Sequence, residues 1–459
     1  MTSPSPSCVP AFWAGTQETT RSPELNTTHQ GAISAAPTTD QRATIDQNLT
    51  IKRTLCSMFA EIDTIGHTPG QPGYNRFAWT PEDHQLREWF AREAAARSLT
   101  LEMDSAGNQW AWWRPARAEG KAITTGSHLD SVPGGGAFDG PLGVLSSFAA
   151  LDVLRSDGFV PSRPIAIINF SDEEGAAFGL ACFGSRVLTG AIAPEQALAM
   201  RGDDGRSLRE RLETARAADK NEGEAKGSVP TPEFYGSDLQ RVEHIRAHIE
   251  LHIEQGYYLE GTDQSVALAS HIWPHGRWRV DLTGPGNHAG TTPLERRSDP
   301  MIEFAHLVLD ARKAAERHGG VATIGKAIVE PNGVNVIATS VTAWIDCRAA
   351  EESTVQAIVA DLSEYSPQRE SWTGSTVFDL DLTSRLHSSL GTSVPVIGTG
   401  AGHDAGIIQQ TGVPTAMIFV RNQTGDSHTA SEFARLDDAV AGTRALAVAL
   451  KDLAGEKDA

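Results

Sequence analysis

The sequence predicts an α/β fold: a doubly wound domain on a mixed sheet, interrupted by an inserted α+β domain. Three observations carry this. Apolar strand-like runs end in polar or glycine-rich loops, as at Ala122-Ile-Thr-Thr125 before Gly126-Ser-His-Leu-Asp-Ser-Val-Pro-Gly-Gly-Gly-Ala-Phe-Asp-Gly140, and at Ile165-Ala-Ile-Ile-Asn-Phe170 before Asp172-Glu173-Glu174. Between them Leu142, Leu145, Phe148, Leu151 and Leu154 form one apolar stripe at helical spacing, opened by Pro141 where a first helical turn accepts proline. That alternation belongs to an open sheet whose functional groups gather at the carboxyl ends of its strands. Finally, the texture changes near residue 272, and the doubly wound pattern resumes after about 378.

At 459 residues the chain exceeds what one hydrophobic core usually supports. Residues 1–48 are rich in Thr, Ser, Pro and Gln, a composition that buries too little surface to order itself, and are expected to be a disordered tail. They lack the charged-then-apolar pattern of a signal peptide. The first part of the main domain is placed at 49–271, the insertion at 272–378 and the second part at 379–459. From Leu49 to about Arg97 the pattern is helical, with Thr80 as a cap, Pro81 in the first turn, and Leu86, Trp89, Phe90 and Ala94 on one face. Gln109–Trp113 reads as a strand, and 200–243 as a helix plus a long surface loop. His248-Ile-Glu-Leu-His-Ile-Glu-Gln255 alternates strictly, which marks a half-buried strand rather than a helical zinc motif. The insertion reads strand (277–282), helix (opened by Asp299-Pro300), strands (333–338 and 341–348) and helix (352–364). Strands at 394–397 and 416–420 and a helix at 437–453 close the chain.

A formal net charge of −19 argues against nucleic acid or an anionic membrane as partner. No apolar run reaches membrane length. The four cysteines include no Cys-x-x-Cys pair, which fits a reducing, cytoplasmic setting.

His128 and Asp139 stand eleven residues apart, and Glu174, His252 and His428 also sit where strands end or turns begin. Any one of them is an ordinary histidine or acid; jointly, five nitrogen and oxygen donors suit two cations that share a carboxylate, with Asp139 as the bridge. Cations so placed lower the pKa of coordinated water, the chemistry of a metallohydrolase. Glu173, adjacent to Glu174 but pointing elsewhere, is the candidate proton shuttle.

The chain resembles the dinuclear metal amidohydrolases that comprise N-carbamoyl-L-amino-acid hydrolases, allantoate amidohydrolases and β-ureidopropionases, relatives of the aminoacylases. The resemblance runs from about residue 50 to the C-terminus. It is carried by Gly-Ser-His128-Leu-Asp130, Phe-Asp139-Gly, Asp-Glu173-Glu174-Gly, Glu-Leu-His252-Ile-Glu-Gln255-Gly, Asn-His288-Ala-Gly-Thr-Thr-Pro, Val-Asn335-Val, Asp-Cys-Arg348, Gly-Ala-Gly-His403-Asp-Ala and Ser-His428. It implies two divalent ions per subunit, Zn²⁺ first and Mn²⁺, Co²⁺ or Ni²⁺ as alternatives. One would be held by His128, Asp139 and His252, the other by Asp139, Glu174 and His428. Glu173 becomes the general base and Asp130 the residue that orients His128. Gln255, His288, Asn335, Arg348 and His403 become substrate-binding residues, and the insertion a lid and the interface of a homodimer.

The implied reaction is hydrolysis of the ureido C–N bond of an N-carbamoyl-L-amino acid, with allantoate as the rival substrate and an aminoacylase or dipeptidase as a further alternative. Arg348 suits a substrate carboxylate, although a surface ion pair with Asp346 is the plainer reading of the same residue. Three departures from the family pattern bear on substrate: Thr399-Gly400 before Ala-Gly-His403, Asp426 near His428, and His-Ile-Trp-Pro-His-Gly at 271–276.

Overall fold

The computed structural model describes Pro10, Trp13 and residues 39–219 and 229–456. By internal contacts the chain forms two compact units: residues 1–269, 378–397 and 403–459 make the first, and 270–377 with 398–402 the second. The insertion expected at 272–378 compares with this second unit.

The first unit opens with helices α1 (Thr39–Ile62) and α2 (Pro81–Ala96). Strands β1 (Thr100–Met103), β2 (Gln109–Trp113) and β3 (Ala122–His128), helix α3 (Pro141–Ser156) and strand β4 (Ile165–Phe170) follow. Short helices α4 (Phe183–Leu188), α5 (Pro194–Ala199), α6 (Leu208–Asp219) and α7 (Leu239–Glu243) lead to β5 (Ile245–Ile253) and β6 (Val266–Ile272). In the second unit come β7 (His275–Thr283), β8 (Asn287–His288), α8 (Pro300–His318), β9 (Val321–Glu330), β10 (Val336–Ile337), β11 (Ser340–Arg348), α9 (Glu352–Asp361), β12 (Gln368–Thr373) and β13 (Thr376–Val377). The chain ends with α10 (Leu380–Leu390), β14 (Val396–Thr399), α11 (Asp404–Gln409), β15 (Thr415–Val420) and α12 (Leu436–Ala454).

The first unit's sheet runs β1-β2-β4-β3-β5-β15-β6. β3 is parallel to β4 and β5, and β5 to β15, whereas β1/β2, β2/β4 and β15/β6 are antiparallel. Alternate residues feed two cores. Ile165 and Ile167 of β4 face a core shared with α1, α3 and α12, while Ala166, Ile168 and Phe170 face one shared with α4 to α6. Helices on both faces of a mixed sheet make the doubly wound arrangement that the alternation of strands and helices predicts. The four mutually parallel strands all present their carboxyl ends to the same side, where crossover connections leave space for a site.

Two expectations are corrected. The tail was set at 1–48, yet α1 begins at Thr39, and Trp13 is 2% exposed with its ring 5.0 Å from Phe59 and 5.6 Å from Phe138. Apart from these and Pro10, the tail lies outside the described residues. Second, β5 is buried on both faces, because β3 and β15 flank it and helices cover both sides. His248, Glu250, His252 and Glu254 are therefore interior groups. Within 200–243, expected as a helix plus a long surface loop, the described residues form α6 and α7, and α4 and α5 fall just before it.

The second unit carries the antiparallel sheet β12-β7-β11-β9. One face packs Val280, Leu282, Val341, Ala343 and Ile345 against Leu307 and Ala311 of α8 and Ile358 of α9. The strand expected at 333–338 shrinks to β10, which pairs with β8 through Val336↔His288 and Ile337↔Asn287. Neither the long strand β9 nor strand β12, most of whose residues are exposed, has a counterpart among the expected strands. Among the described residues no helix is long and apolar enough to cross a membrane.

Candidate metal centre

Four parallel strands deliver the site. His128 is the last residue of β3, Glu173 and Glu174 follow β4, His252 is one residue from the end of β5, and His428 lies beyond β15. The register Gly126↔Glu250 brings His128 level with His252, and Phe419↔His252 aligns β15 with them. Asp139 arrives on the loop between β3 and α3. Gly140, at φ +81°, turns the chain where a Cβ would stand 2.4 Å from the His128 ring, so the loop closes over that imidazole only because glycine occupies the position.

Asp139 stands between three imidazoles. Its Oδ1 is 3.6 Å from His128 Nε2 and 3.2 Å from His252 Nε2, while its Oδ2 is 3.7 Å from His428 Nε2. His428 Nε2 also lies 3.2 Å from Glu174 Oε2. Two triads result, His128–Asp139–His252 and Asp139–Glu174–His428, each with donor atoms within 4.8 Å of one another and with Asp139 in common.

The donor set fits divalent cations on its own evidence. His128 Nε2 and His252 Nε2 are buried with no hydrogen-bond partner. The other ring nitrogens are engaged by backbone carbonyls: His128 Nδ1 lies 3.1 Å from Asp130 O, and His252 Nδ1 lies 2.8 Å from Ile253 O. With Nδ1 fixed as the donor to a carbonyl, Nε2 is the nitrogen that faces the triad, and a cation there would take the place of its proton. Burial alone would lower the pKa of His128, yet Glu173, Asp130 and Asp139 hold it well above the ordinary value. Likewise burial would raise Asp139, but His252 and His128 hold it well below the carboxylate range. The cluster is a concentration of negative charge that favours positive partners.

Glu173 is buried, its Oε2 3.6 Å from His128 Nε2 and its Oε1 accepting the thiol of Cys182 at 3.2 Å. Burial, with Asp404, Glu174 and Asp130 nearby, pushes its carboxyl well above the usual range despite the opposing effect of His128. Asp130 accepts the backbone N–H of Glu173 and of Glu174, each at 3.1 Å. His128 Nδ1 is 3.5 Å from Asp130 Oδ1.

Of the substrate-binding candidates, two adjoin this cluster. Gln255 donates to Asp139 Oδ2 at 2.7 Å, and its Nε2 is 3.3 Å from His428 Nε2. His403, at the start of α11, packs its ring 4.5 Å from that of His252; burial lowers its pKa well below the ordinary value, so the ring is neutral with Nε2 unpartnered. The other three belong to the second unit. His288 is exposed and pairs through its backbone with Val336, and the carbonyl of Asn335 accepts from Ala289 N at 3.0 Å. Arg348, expected to bind substrate, is engaged by Asp346 instead: Nε and Nη2 donate to the two oxygens of Asp346 at 2.7 and 3.2 Å, and Nη1 donates to Gly400 O at 2.8 Å. Three of its five N–H groups are thereby used. Asp426 is turned to Ser431 Oγ at 2.7 Å.

Sequence reasoning missed Glu250 and Glu432. Glu250 accepts Ser127 Oγ and Ala405 N, both at 2.9 Å, beneath His252. Glu432 accepts the N–H groups of Phe138 and Asp139. The signal for Glu250 was its place on the polar side of β5; for Glu432 it was its position four residues after His428.

A family model described as peptidase family M20/M25/M40 matches residues 124–452. The chain is 31% identical over 411 residues to the N-carbamoyl-L-amino acid amidohydrolase of Geobacillus stearothermophilus, covering 84% of this chain and 94% of that one. It is 29% identical over 409 residues to the allantoate amidohydrolase of Escherichia coli K12, with the same coverage of 84% and 94%. A crystal structure of an amidase of the hydantoinase/carbamoylase family from Burkholderia vietnamiensis is similar at a TM-score of 0.77 and 28% identity, over 88% of this chain and 98% of that one. Because the match runs from the strand that ends in His128 to the closing helix, this chain belongs to peptidase family M20/M25/M40.

Proposed function

We propose that this protein hydrolyses the ureido C–N bond of an N-carbamoyl-L-amino acid, releasing the amino acid, CO₂ and ammonia. The observation that carries the reading is the pair of donor triads joined by Asp139, with Glu173 alongside but outside both. Similarity to N-carbamoyl-L-amino acid amidohydrolases over nearly their whole length supports the substrate class.

His128, Asp139 and His252 would hold one divalent ion, and Asp139, Glu174 and His428 the other, with Zn²⁺ first and Mn²⁺, Co²⁺ or Ni²⁺ as alternatives. Such ions, when bound, lower the pKa of coordinated water and polarise a carbonyl. Glu173 takes the proton from the attacking water and delivers it to the leaving nitrogen, as the C–O bond forms and the C–N bond breaks. A carboxyl whose pKa is raised by burial suits both halves of that transfer. Asp130 holds the Glu173 backbone in place, so the base cannot drift from His128. Gln255 and His403 orient the ureido group. Arg348 is assigned the substrate α-carboxylate through the N–H groups that Asp346 and Gly400 leave free, and His288 and Asn335 the developing oxyanion.

A homodimer through the second unit is part of the reading. β9 is the edge strand of its sheet, with Val321 and Ile328 exposed, and α8 exposes Ile302, Val308 and Leu309. An uncovered apolar edge of this kind is the sort that a second copy closes. A cytoplasmic location without nucleic-acid or membrane partners completes it.

The second reading is allantoate hydrolysis, favoured by the similarity to the Escherichia coli enzyme. The test is a substrate panel on metal-stripped protein reloaded with each ion, following ammonia and amino-acid release. Turnover of N-carbamoyl amino acids ahead of allantoate is expected; the reverse order selects allantoate. Hydrolysis of N-acetyl amino acids or dipeptides, with no ureido acid turned over, overturns both.

A further inference from the structure

Asp139 and His428 approach the centre on separate loops from distant parts of the sequence, and one side chain joins them. Glu432, on the His428 loop, is 4% exposed. Its Oε1 accepts the backbone N–H of Phe138 at 3.0 Å and that of Asp139 at 2.8 Å. The fit is close: a Cβ on Gly136 would lie 2.5 Å from Glu432 Oε1, so glycine is what lets the Asp139 loop wrap this carboxyl. Trp13 backs the same junction. Trp13 sets its ring 5.6 Å from that of Phe138 and donates its indole N–H to Ala434 O at 2.9 Å, touching both loops from behind. Phe433 packs edge-on to Phe138 at 6.0 Å.

We propose that Glu432 is a positioning residue that registers the loop of Asp139 against the loop of His428, so that both donor triads are formed before any cation arrives. Asp139 serves both triads, so an error in its backbone would misplace a donor in each of them. A carboxyl that accepts two consecutive N–H groups fixes the peptide plane between Phe138 and Asp139, and with it the direction in which the Asp139 side chain leaves the chain. The proposal rests on the reading that these residues hold cations.

The test uses the full chain and reads two quantities. Hydrogen exchange of the Phe138 and Asp139 amides is followed in metal-free protein, and Zn²⁺ affinity is measured by competition with a chromophoric chelator. Glu432→Ala is expected to speed exchange at those amides by about tenfold or more, the change for a lost hydrogen bond, and to weaken Zn²⁺ binding by about 10- to 100-fold. Glu432→Gln, which keeps an acceptor oxygen at the same reach, is expected to restore both. Should the alanine variant not fold, Glu432→Asp, whose carboxyl is drawn back by one methylene, is read in its place. Unchanged exchange and affinity in Glu432→Ala overturn the proposal; so does a glutamine variant as impaired as alanine, since charge and not loop registration would then be the cause. The amide measurement needs neither substrate nor metal, so failure of the proposed reaction leaves it readable.

Discussion

The carboxylate of Asp130 accepts the backbone N–H of Glu173 at 3.1 Å through the same oxygen that faces His128 Nδ1 at 3.5 Å. One side chain thus touches both the His128 imidazole and the backbone of the proposed base, and its second oxygen accepts the N–H of Glu174. Asp130→Ala is expected to weaken metal binding by about 10- to 100-fold and to lower kcat with it. Asp130→Asn, which keeps one acceptor, should fall between. Chelator competition beside steady-state kinetics checks this; unchanged affinity in the alanine variant would remove Asp130 from the site.

Glu173 approaches His128 without completing either triad, so its loss should spare the metals. Glu173→Gln is expected to keep full metal content and an unchanged circular dichroism spectrum while turnover drops by about 10²- to 10⁴-fold. Metal analysis paired with an ammonia-release assay tests this, and undiminished turnover would end its assignment as base.

Gly140 has φ +81° and no room for a Cβ beside the His128 ring. Gly140→Ala combines left-handed strain with that clash and should cost more than about 1 kcal/mol of stability. Because the clash falls on a proposed ligand, Zn²⁺ affinity should fall as well. Denaturant titration of the metal-free protein, followed by chelator competition, separates the two effects.

His248 lies inside β5, with Nδ1 2.9 Å from Thr124 Oγ1, and burial lowers its pKa to about 3. The folded chain therefore refuses a proton that the unfolded chain accepts below its own pKa of about 6.5. The stabilising contribution is complete above that value and is lost progressively as pH falls toward 3. At pH 5 the loss amounts to about 2 kcal/mol. His248→Leu should shrink the difference in unfolding free energy between pH 7 and pH 5 by that amount. Urea titrations at both pH values check it, and an undiminished difference would place the acid sensitivity elsewhere.

Ile328 sits on the edge strand β9 with nearly half its surface exposed. If that edge is the contact between two copies, Ile328→Lys should shift the protein from dimer to monomer in sedimentation velocity. A wild-type chain that is already monomeric would refute the dimer.

The chain's local pattern was enough to single out the residues that gather at the candidate site. His128, Asp139, Glu174, His252 and His428 were each legible because strand ends and glycine turns are local signals, written within a few residues of the side chain concerned. The same holds for the doubly wound alternation and for α3 and α12, whose apolar faces repeat along the sequence. Pairing over long separations carries no such mark. The place of Glu432 four residues after His428 does not say that it will hold the amide of Asp139, 293 residues away in sequence. Trp13 looked like part of a tail until Phe59 and Phe138 surrounded it. Arg348 was open to a substrate or to Asp346, and only the folded β11 brought the guanidinium against that aspartate. Sequence alone determined which groups stand at the ends of the strands. Tertiary structure decided which of them meet, because strand register and loop closure depend on backbone and packing contacts that residues far apart in the chain make together.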